Sequence, residues 1–167
     1  SFPTRRSSDL NTKIAAIYYK KCIEVSKDYK ENHYLSRALS SLAELYDESG
    51  ETKAAINCYE KSLEIDTKTK NYNGLYSTSR NLSEIYSSKN KEKSLEYMLK
   101  AQNYAKQLNE PYYIADISME IGNFYLLRKD FQNAYKYFNE SYEIAKRTFS
   151  KDNTDKISAK IDYVKGL

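Results

Sequence analysis

The chain has 167 residues with 27 Lys and Arg against 23 Asp and Glu, a formal net charge of +4. The two signs are interspersed, which favours a solvated surface over a nucleic-acid-binding face. The longest apolar run, IAAIYY at residues 14–19, is far shorter than the roughly 20 residues that cross a membrane, so we expect no membrane insertion. Four Gly and two Pro in a chain rich in Lys, Glu, Leu and Ile predict an all-helical protein with short connections.

The first ten residues, SFPTRRSSDL, differ in composition from everything after them. They can be written as the codons TCT TTC CCT ACA CGA CGC TCT TCC GAT CT, a string that resembles the end of a widely used short-read sequencing adapter. We therefore expect residues 1–10 to be a non-native artefact joined to a truncated reading frame, and the expected fold is derived without them. A disordered basic arm and a targeting peptide are the alternatives. A true N-terminus is then missing, and a cytoplasmic location is only slightly favoured.

The remaining chain repeats itself with a period of about 40 residues. One aromatic position recurs at intervals of 40 and 39, as Tyr46, Tyr86 and Tyr125. One small-residue position recurs at 40, 39 and 40, as Ala15, Ala55, Ser94 and Ala134. A fixed period of this length indicates stacked supersecondary units. Within each unit, apolar residues three and four apart predict two helices, separated by the short polar turns ESGET, SKNKE and LRKDF.

These intervals set the expected domain organisation. The second helix of a truncated repeat occupies residues 11–30, and full repeats follow at about residues 32–70, 72–109 and 111–149. Residues 153–167 form a capping helix or begin a further repeat.

The repeated positions resemble the tetratricopeptide repeat pattern, which places Trp, Leu, Gly and Tyr on the first helix and Ala, Phe and Ala on the second. The best-formed unit carries the pattern at Leu39, Leu42, Ala43, Tyr46, Ala55, Tyr59 and Ser62. The next two carry it at Leu82, Ser83, Tyr86, Ser94, Met98 and Ala101, and at Ile121, Gly122, Tyr125, Ala134, Phe138 and Ser141. The resemblance implies an all-α fold, a right-handed superhelical α-α solenoid of helical hairpins with about seven to eight helices.

The resemblance also implies that the first helices line a concave groove, which binds an extended or helical protein segment. By position, the groove residues are Arg37, Ser40, Ser41, Glu44, Asp47, Ser77, Arg80, Asn81, Glu84, Ser87, Asp116, Met119, Glu120 and Asn123. Carboxylates outnumber arginines in this set, which predicts a protein or peptide partner with a basic or neutral polar segment. Relatives that clamp a C-terminal carboxylate use paired Lys and Asn, but here Glu44 and Glu84 stand nearby, so that activity is not expected.

The sequence gives little evidence for a catalytic site. The single histidine, His33, is expected to be exposed or to cap a helix. Cys22 occupies a small-residue packing position and is expected to be buried, whereas Cys58 replaces a tyrosine of the other units. With no metal-ligand or phosphate-loop motif, we expect no cofactor, no metal and no enzyme activity. The sequence predicts a non-enzymatic binding scaffold; the alternative is a sensory or regulatory segment of a truncated bacterial signalling protein, such as a transcription regulator or histidine kinase.

Overall fold

A computed structural model describes residues 5–26, 32–148 and 151–166. Across these ranges the chain forms eight α-helices and no strand, which confirms the predicted all-α fold. The helices are α1 (Arg5–Ser26), α2 (Asn32–Glu48), α3 (Thr52–Thr69), α4 (Tyr72–Ser87), α5 (Lys91–Leu108), α6 (Pro111–Leu127), α7 (Phe131–Thr148) and α8 (Lys151–Lys165). Within the described part of the chain, none of them combines the length and apolarity that crossing a membrane requires.

Helix α1 begins earlier than the sequence suggested, at Arg5 instead of near residue 11. Residues 5–11 contain neither Gly nor Pro, since Pro3 lies before them. Nothing in this segment therefore stops a helix from extending towards the N-terminus. The expected end of this helix near residue 30 and the connection at residues 149–150 lie outside the described residues.

Four of the short turns between the described helices contain one left-handed residue. Gly50 (φ 79°) follows α2, Lys70 (φ 54°) follows α3, Asn109 (φ 53°) follows α5 and Lys129 (φ 59°) lies between α6 and α7. The left-handed residue reverses the chain direction within a few residues and lets backbone N–H groups reach the last carbonyls of the helix. Helices joined by so short a turn pack as antiparallel neighbours.

The chain divides into an N-terminal unit, Ser1–Ile85, and a C-terminal unit, Tyr86–Leu167, with the boundary inside α4. In the N-terminal unit, α2 packs against both α1 and α3. The seam between α2 and α3 is polar: Ser62 Oγ donates to the carbonyl of Ser36 at 3.1 Å, and the fully buried carboxylate of Asp66 accepts from Ser36 Oγ. Asn71 Nδ2, in the turn after α3, donates to the same carboxylate at 2.9 Å. Asp66 thus ties α2, α3 and this turn together.

In the C-terminal unit, α7 packs against α6 and α8. The ring of Phe138 is fully buried beside Gly122, which has no side chain to displace it. Ile157 and Ile161 of α8 belong to the same apolar cluster. Ser141 Oγ donates to the carbonyl of Ala115 at 2.8 Å, the counterpart of the seam bond made by Ser62. The α2–α3 and α6–α7 hairpins therefore both combine a small residue, a buried ring and one buried hydroxyl in their seam.

Two tyrosine pairs in the C-terminal unit have nearly parallel, stacked rings. The ring centroids of Tyr86 and Tyr97 are 5.8 Å apart, and those of Tyr125 and Tyr137 are 5.7 Å apart. In the N-terminal unit, Cys58 holds the position equivalent to Tyr97 and Tyr137, and burial raises the pKa of its thiol.

The expectation that Cys22 is buried is wrong. Its side chain is exposed, although it stands at the position of the buried residues Ser62 and Ser141. Those two serines face the first helix of their own hairpin, whereas Cys22 lies on α1, which packs against α2 of the next hairpin.

Candidate binding surface

Three carboxylates of the predicted groove set converge on one tyrosine in the N-terminal unit. Burial raises the pKa of the Tyr59 hydroxyl, and the negative charges of Glu44, Asp47 and Glu84 raise it further. The three carboxylate residues are themselves exposed. We call Glu44, Asp47 and Glu84, together with Tyr59 and Asn81, the acidic wall.

Asn81 holds the acidic wall together. Its Nδ2 donates to Tyr59 OH at 3.1 Å and to Glu44 Oε1 at 3.3 Å, so that one amide of α4 bridges α2 and α3. The amide of Asn81 is therefore turned towards a carboxylate of the protein itself. This arrangement is unfavourable for clamping the carboxylate of a ligand, in agreement with the expectation from Glu44 and Glu84.

The other predicted groove residues of α2 and α4 differ in environment. Arg37, Ser77 and Ser87 are exposed, and Ser41 and Arg80 are half-buried. Ser40 Oγ lies 2.8 Å from Ser62 Oγ and 3.1 Å from Thr78 Oγ1. Its hydroxyl thus takes part in the polar packing between helices, which sequence position alone did not indicate.

The predicted residues of α6 lie next to α8. A cavity of about 220 Å³ is lined by Tyr112, Ala115, Asp116, Met119, Ser141, Lys156 and Ile157. Asn123 Oδ1 accepts a hydrogen bond from Lys160 Nζ at 2.9 Å, and Glu120 is half-buried. The structure therefore places Asp116, Met119 and Asn123 on a surface that α8 completes with cations.

Lys156 and Lys160 were missed by the sequence reasoning, although the repeat period contains the signal for one of them. Lys160 follows Asn123 by 37 residues, and Asn81 follows its partner Glu44 by the same 37 residues. Extending the period into the tail helix would have placed Lys160 beside Asn123.

The first helices of the two units differ in charge. Those of the N-terminal unit carry an acidic surface, and those of the C-terminal unit carry a mixed one.

No arrangement for metal-dependent chemistry is found among the described residues, where no group of three or more His, Cys, Asp or Glu could hold a metal ion. His33 is exposed, with Nδ1 3.5 Å from Asn71 Nδ2, as expected for a residue near the start of a helix.

Comparison with known families identifies the repeats. Two family models, both described as tetratricopeptide repeat, match residues 11–68 and residues 115–148, together more than half of the chain. The chain is a tetratricopeptide repeat protein. A search of curated protein sequences finds no match.

Solved structures share the fold of this tetratricopeptide repeat protein. It is similar to BtubC (BKLC) from P. vanneervenii, with a TM-score of 0.79 and 18% identity over 95% of this chain and 67% of that chain. It is also similar to a signal transduction ATPase with numerous domains that carries a tetratricopeptide repeat sensor, from Pyrococcus horikoshii (TM-score 0.72, 17% identity, 96% of this chain and 26% of that one).

A third similar structure is a putative kinesin light chain with nearly identical TPR-like repeats from Podosopora anserina, with a TM-score of 0.65 and 12% identity over 95% of this chain and 89% of that one. At these identities the similarity establishes the fold. The family and its structural neighbours support a protein-interaction scaffold.

Proposed function

We propose that this protein is a non-enzymatic scaffold that binds an extended or helical segment of a partner protein against its first helices. The acidic wall of the N-terminal unit then favours a basic or neutral polar segment. The observation that carries the proposal is the convergence of Glu44, Asp47 and Glu84 around Tyr59, with Asn81 holding Glu44 in place.

The physical reason is electrostatic complementarity at an exposed surface. Each exposed ion pair contributes about 0.2–1 kcal/mol, so three carboxylates facing a cationic segment contribute about 1.5 kcal/mol, or about a tenfold gain in affinity. Because the carboxylates are exposed, the gain is screened by salt, and it acts on the association rate as well as on specificity.

The test measures the affinity of fluorescent peptides by anisotropy over a salt series, with Lys-rich, Ser/Asn-rich and Glu-rich peptides of equal length. We expect the order Lys-rich, Ser/Asn-rich, Glu-rich, and we expect the preference for the Lys-rich peptide to weaken as salt rises. Glu84→Lys replaces an exposed acid of the wall. It should leave the melting temperature within about 1 °C and weaken binding of the Lys-rich peptide about fivefold, because the reversal removes one attraction and adds one repulsion, together about 1 kcal/mol.

The matched control is Glu60→Lys, which makes the same charge change at an exposed position on α3, outside the predicted groove set. It should leave the affinity within about twofold. Equal affinity for the Lys-rich and Glu-rich peptides, or equal losses in the two variants, would refute the selectivity of the acidic wall. A large loss of stability in Glu84→Lys would show that the position is buried.

The second candidate is the sensory or regulatory segment of a signalling protein. The favouring observation is the similarity to a signal transduction ATPase whose repeats are described as a sensor. Reading the genomic DNA on both sides of the coding segment separates the candidates. A kinase, ATPase or DNA-binding domain in the same reading frame supports signalling, whereas repeats alone on both sides support a scaffold.

A further inference from the structure

A pocket of about 440 Å³ lies between α5 and α6 in the C-terminal unit. Its apolar lining consists of Leu95 and Leu99 of α5 and Phe124 and Tyr125 of α6. Leu99 is 37% exposed and the other three are half-buried, so an incoming apolar side chain can still bury part of their surface. We call this site the α5–α6 pocket.

The charged part of the lining is mainly negative. It contains three carboxylates and one guanidinium, a net charge of −2, from Glu92, Glu96, Asp130 and Arg128. Side-chain hydrogen bonds lower the pKa of all three carboxyl groups, so they are ionised at neutral pH.

Two lysines of α5 lie near the α5–α6 pocket without lining it. Lys93 Nζ donates to Tyr86 OH at 2.8 Å. Lys100 Nζ donates to Glu96 Oε1 at 2.6 Å and lies 4.8 Å from the centroid of the Tyr97 ring. Both ammonium groups are thus held against tyrosines that are not part of the lining, and Arg128 supplies its one cation.

Arg128 shows which chemistry the mouth of the pocket accepts. Its Nη1 donates to Glu92 Oε1 at 3.0 Å, and its guanidinium carbon lies 5.5 Å from the centroid of the Phe124 ring. A cation at the mouth is therefore stabilised by a carboxylate and by an aromatic ring. Because Arg128 and Glu92 are both exposed and an exposed ion pair contributes little, a cation of a partner can compete with Arg128 for these groups.

The packing of the repeats does not require this lining. Leu99 corresponds to Glu60 of α3 and Asn139 of α7, so the second helices of the other repeats form with a polar residue at this position. The residues of the same two helices that correspond to Glu96 are Asn57 and Lys136. Helix packing therefore does not account for an exposed leucine and an acidic side chain at the mouth of the pocket.

We propose that the α5–α6 pocket is a docking site for a segment of a partner protein in which one large apolar side chain is flanked by Lys or Arg. The apolar side chain contacts Leu99 and Phe124, and the flanking cations face the carboxylates of the lining. The pocket contains none of the predicted groove residues and belongs to a different unit from the acidic wall, so this docking does not depend on the function proposed above.

The probe is the fluorescein-labelled peptide Gly-Ser-Lys-Lys-Leu-Lys-Lys-Ser-Gly, and its binding to the full chain is measured by fluorescence anisotropy. Two matched peptides carry Ser in place of Leu, or Glu in place of every Lys. We expect the Lys/Leu peptide to bind about fivefold more tightly than either, because the pocket recognises an apolar side chain and a cation together. The acidic wall would bind the Lys/Leu and Lys/Ser peptides alike.

Leu99→Asn tests the apolar lining and copies Asn139 of α7, so the helix should still form. It should weaken binding of the Lys/Leu peptide about fivefold, because the exposed part of the leucine loses its contact with the peptide. Leu127→Asn is the matched control, since Leu127 is 86% exposed and does not line the pocket. It should leave the affinity within about twofold.

Glu96→Lys tests the charge at the mouth. Glu96 pairs with Lys100 at 2.6 Å, and Glu64 of α3 pairs with Lys68 at the same distance and the same four-residue spacing. Glu96→Lys should weaken binding of the Lys/Leu peptide about fivefold, because an attraction becomes a repulsion. The matched control Glu64→Lys loses an equivalent surface pair and should leave the affinity within about twofold.

A second readout uses the absence of Trp from this sequence. With Trp in place of Leu in the unlabelled peptide, all tryptophan emission comes from the peptide, and it should shift to shorter wavelength when the ring enters the apolar lining.

Equal affinity for the Lys/Leu and Lys/Ser peptides, or an emission maximum that binding leaves unchanged, would overturn the proposal. So would equal losses in Leu99→Asn and Leu127→Asn, or in Glu96→Lys and Glu64→Lys. A loss in Glu84→Lys that exceeds the loss in Leu99→Asn would assign the peptide to the acidic wall, which refutes docking at the α5–α6 pocket and leaves the function proposed above intact.

Discussion

Gly122→Ala tests the packing of the last repeat at its tightest point. A Cβ built on Gly122 lies 2.5 Å from both Cδ1 and Cε1 of Phe138, whereas carbon atoms in contact prefer about 3.5–4.0 Å. Phe138 is 0% exposed and belongs to the cluster that includes Ile157 and Ile161, so its ring cannot move aside by about 1 Å without displacing α8.

Two opposing contributions set the magnitude. Overpacking a core by one methyl group costs about 1–3 kcal/mol, whereas replacing Gly by Ala within a helix stabilises by about 1 kcal/mol. The steric cost should dominate because the contact involves two atoms of a ring and no flexible chain end. We therefore expect a net loss of about 1 kcal/mol, which lowers the melting temperature of a chain of this size by about 2–4 °C.

The assay is thermal unfolding followed by circular dichroism, with Gly166→Ala as the matched control. A Cβ on Gly166 meets only backbone oxygens at 3.6 and 3.7 Å, an ordinary contact, so this variant should melt within about 1 °C of the parent. Phe138→Met, which copies Met98 at the equivalent position, should reduce the penalty of Gly122→Ala in a double-mutant cycle. An unchanged or higher melting temperature for Gly122→Ala, or strict additivity with Phe138→Met, would refute the packing described.

Three further outcomes follow from the repeats. Ala134→Leu places a larger side chain at a fully buried position and should cost about 1–3 kcal/mol in denaturant unfolding, whereas unchanged unfolding would show that the helix register is wrong. Cys58→Tyr restores the ring missing opposite Tyr46 and should stabilise by about 0.5–1.5 kcal/mol, and a lower melting temperature would show that the pocket there is too small. Asp130 caps α7, because its carboxylate accepts hydrogen bonds from the backbone N–H of Asn133 at 3.1 Å and from Asn133 Nδ2 at 2.7 Å. These bonds lower the pKa of Asp130, so its contribution to stability is present above the ordinary carboxyl pKa and is lost as pH falls through the lowered one. Asp130→Asn should flatten this part of the acid unfolding curve, and an identical curve would contradict the capping role.

The helical fold could be predicted because one signal repeats. The period that relates Tyr46, Tyr86 and Tyr125 rests on steric rules that act within each hairpin, and the structure stacks two of these rings on Tyr97 and Tyr137. Because the same local packing recurs at a constant interval, the helices could be predicted without knowing which distant residues are in contact.

Other features depend on neighbours that the period does not reveal. Cys22 has the right residue type for a buried position, but burial requires a helix on the other side of it. The engagement of Ser40 with Ser62 and Thr78 depends on side-chain rotation between three helices. The lysines of α8 reach α6 only because of the rotation of the tail helix, and a single sequence gives little information on that angle.

Because Asp66 is a buried carboxylate, the repeats of this protein are not interchangeable as building blocks of a longer array. The equivalent positions in the later repeats are Ala105 and Ala145, both fully buried and apolar. An array made by copying the repeat that holds Asp66 would have to supply hydroxyl and amide donors like Ser36 and Asn71 in every copy, since an unpaired buried carboxylate is strongly destabilising. An array made from the last repeat would need a glycine, a phenylalanine and the Ser141 hydroxyl in register, but no partners for a buried charge, so that repeat is the better template for engineered extensions of this protein.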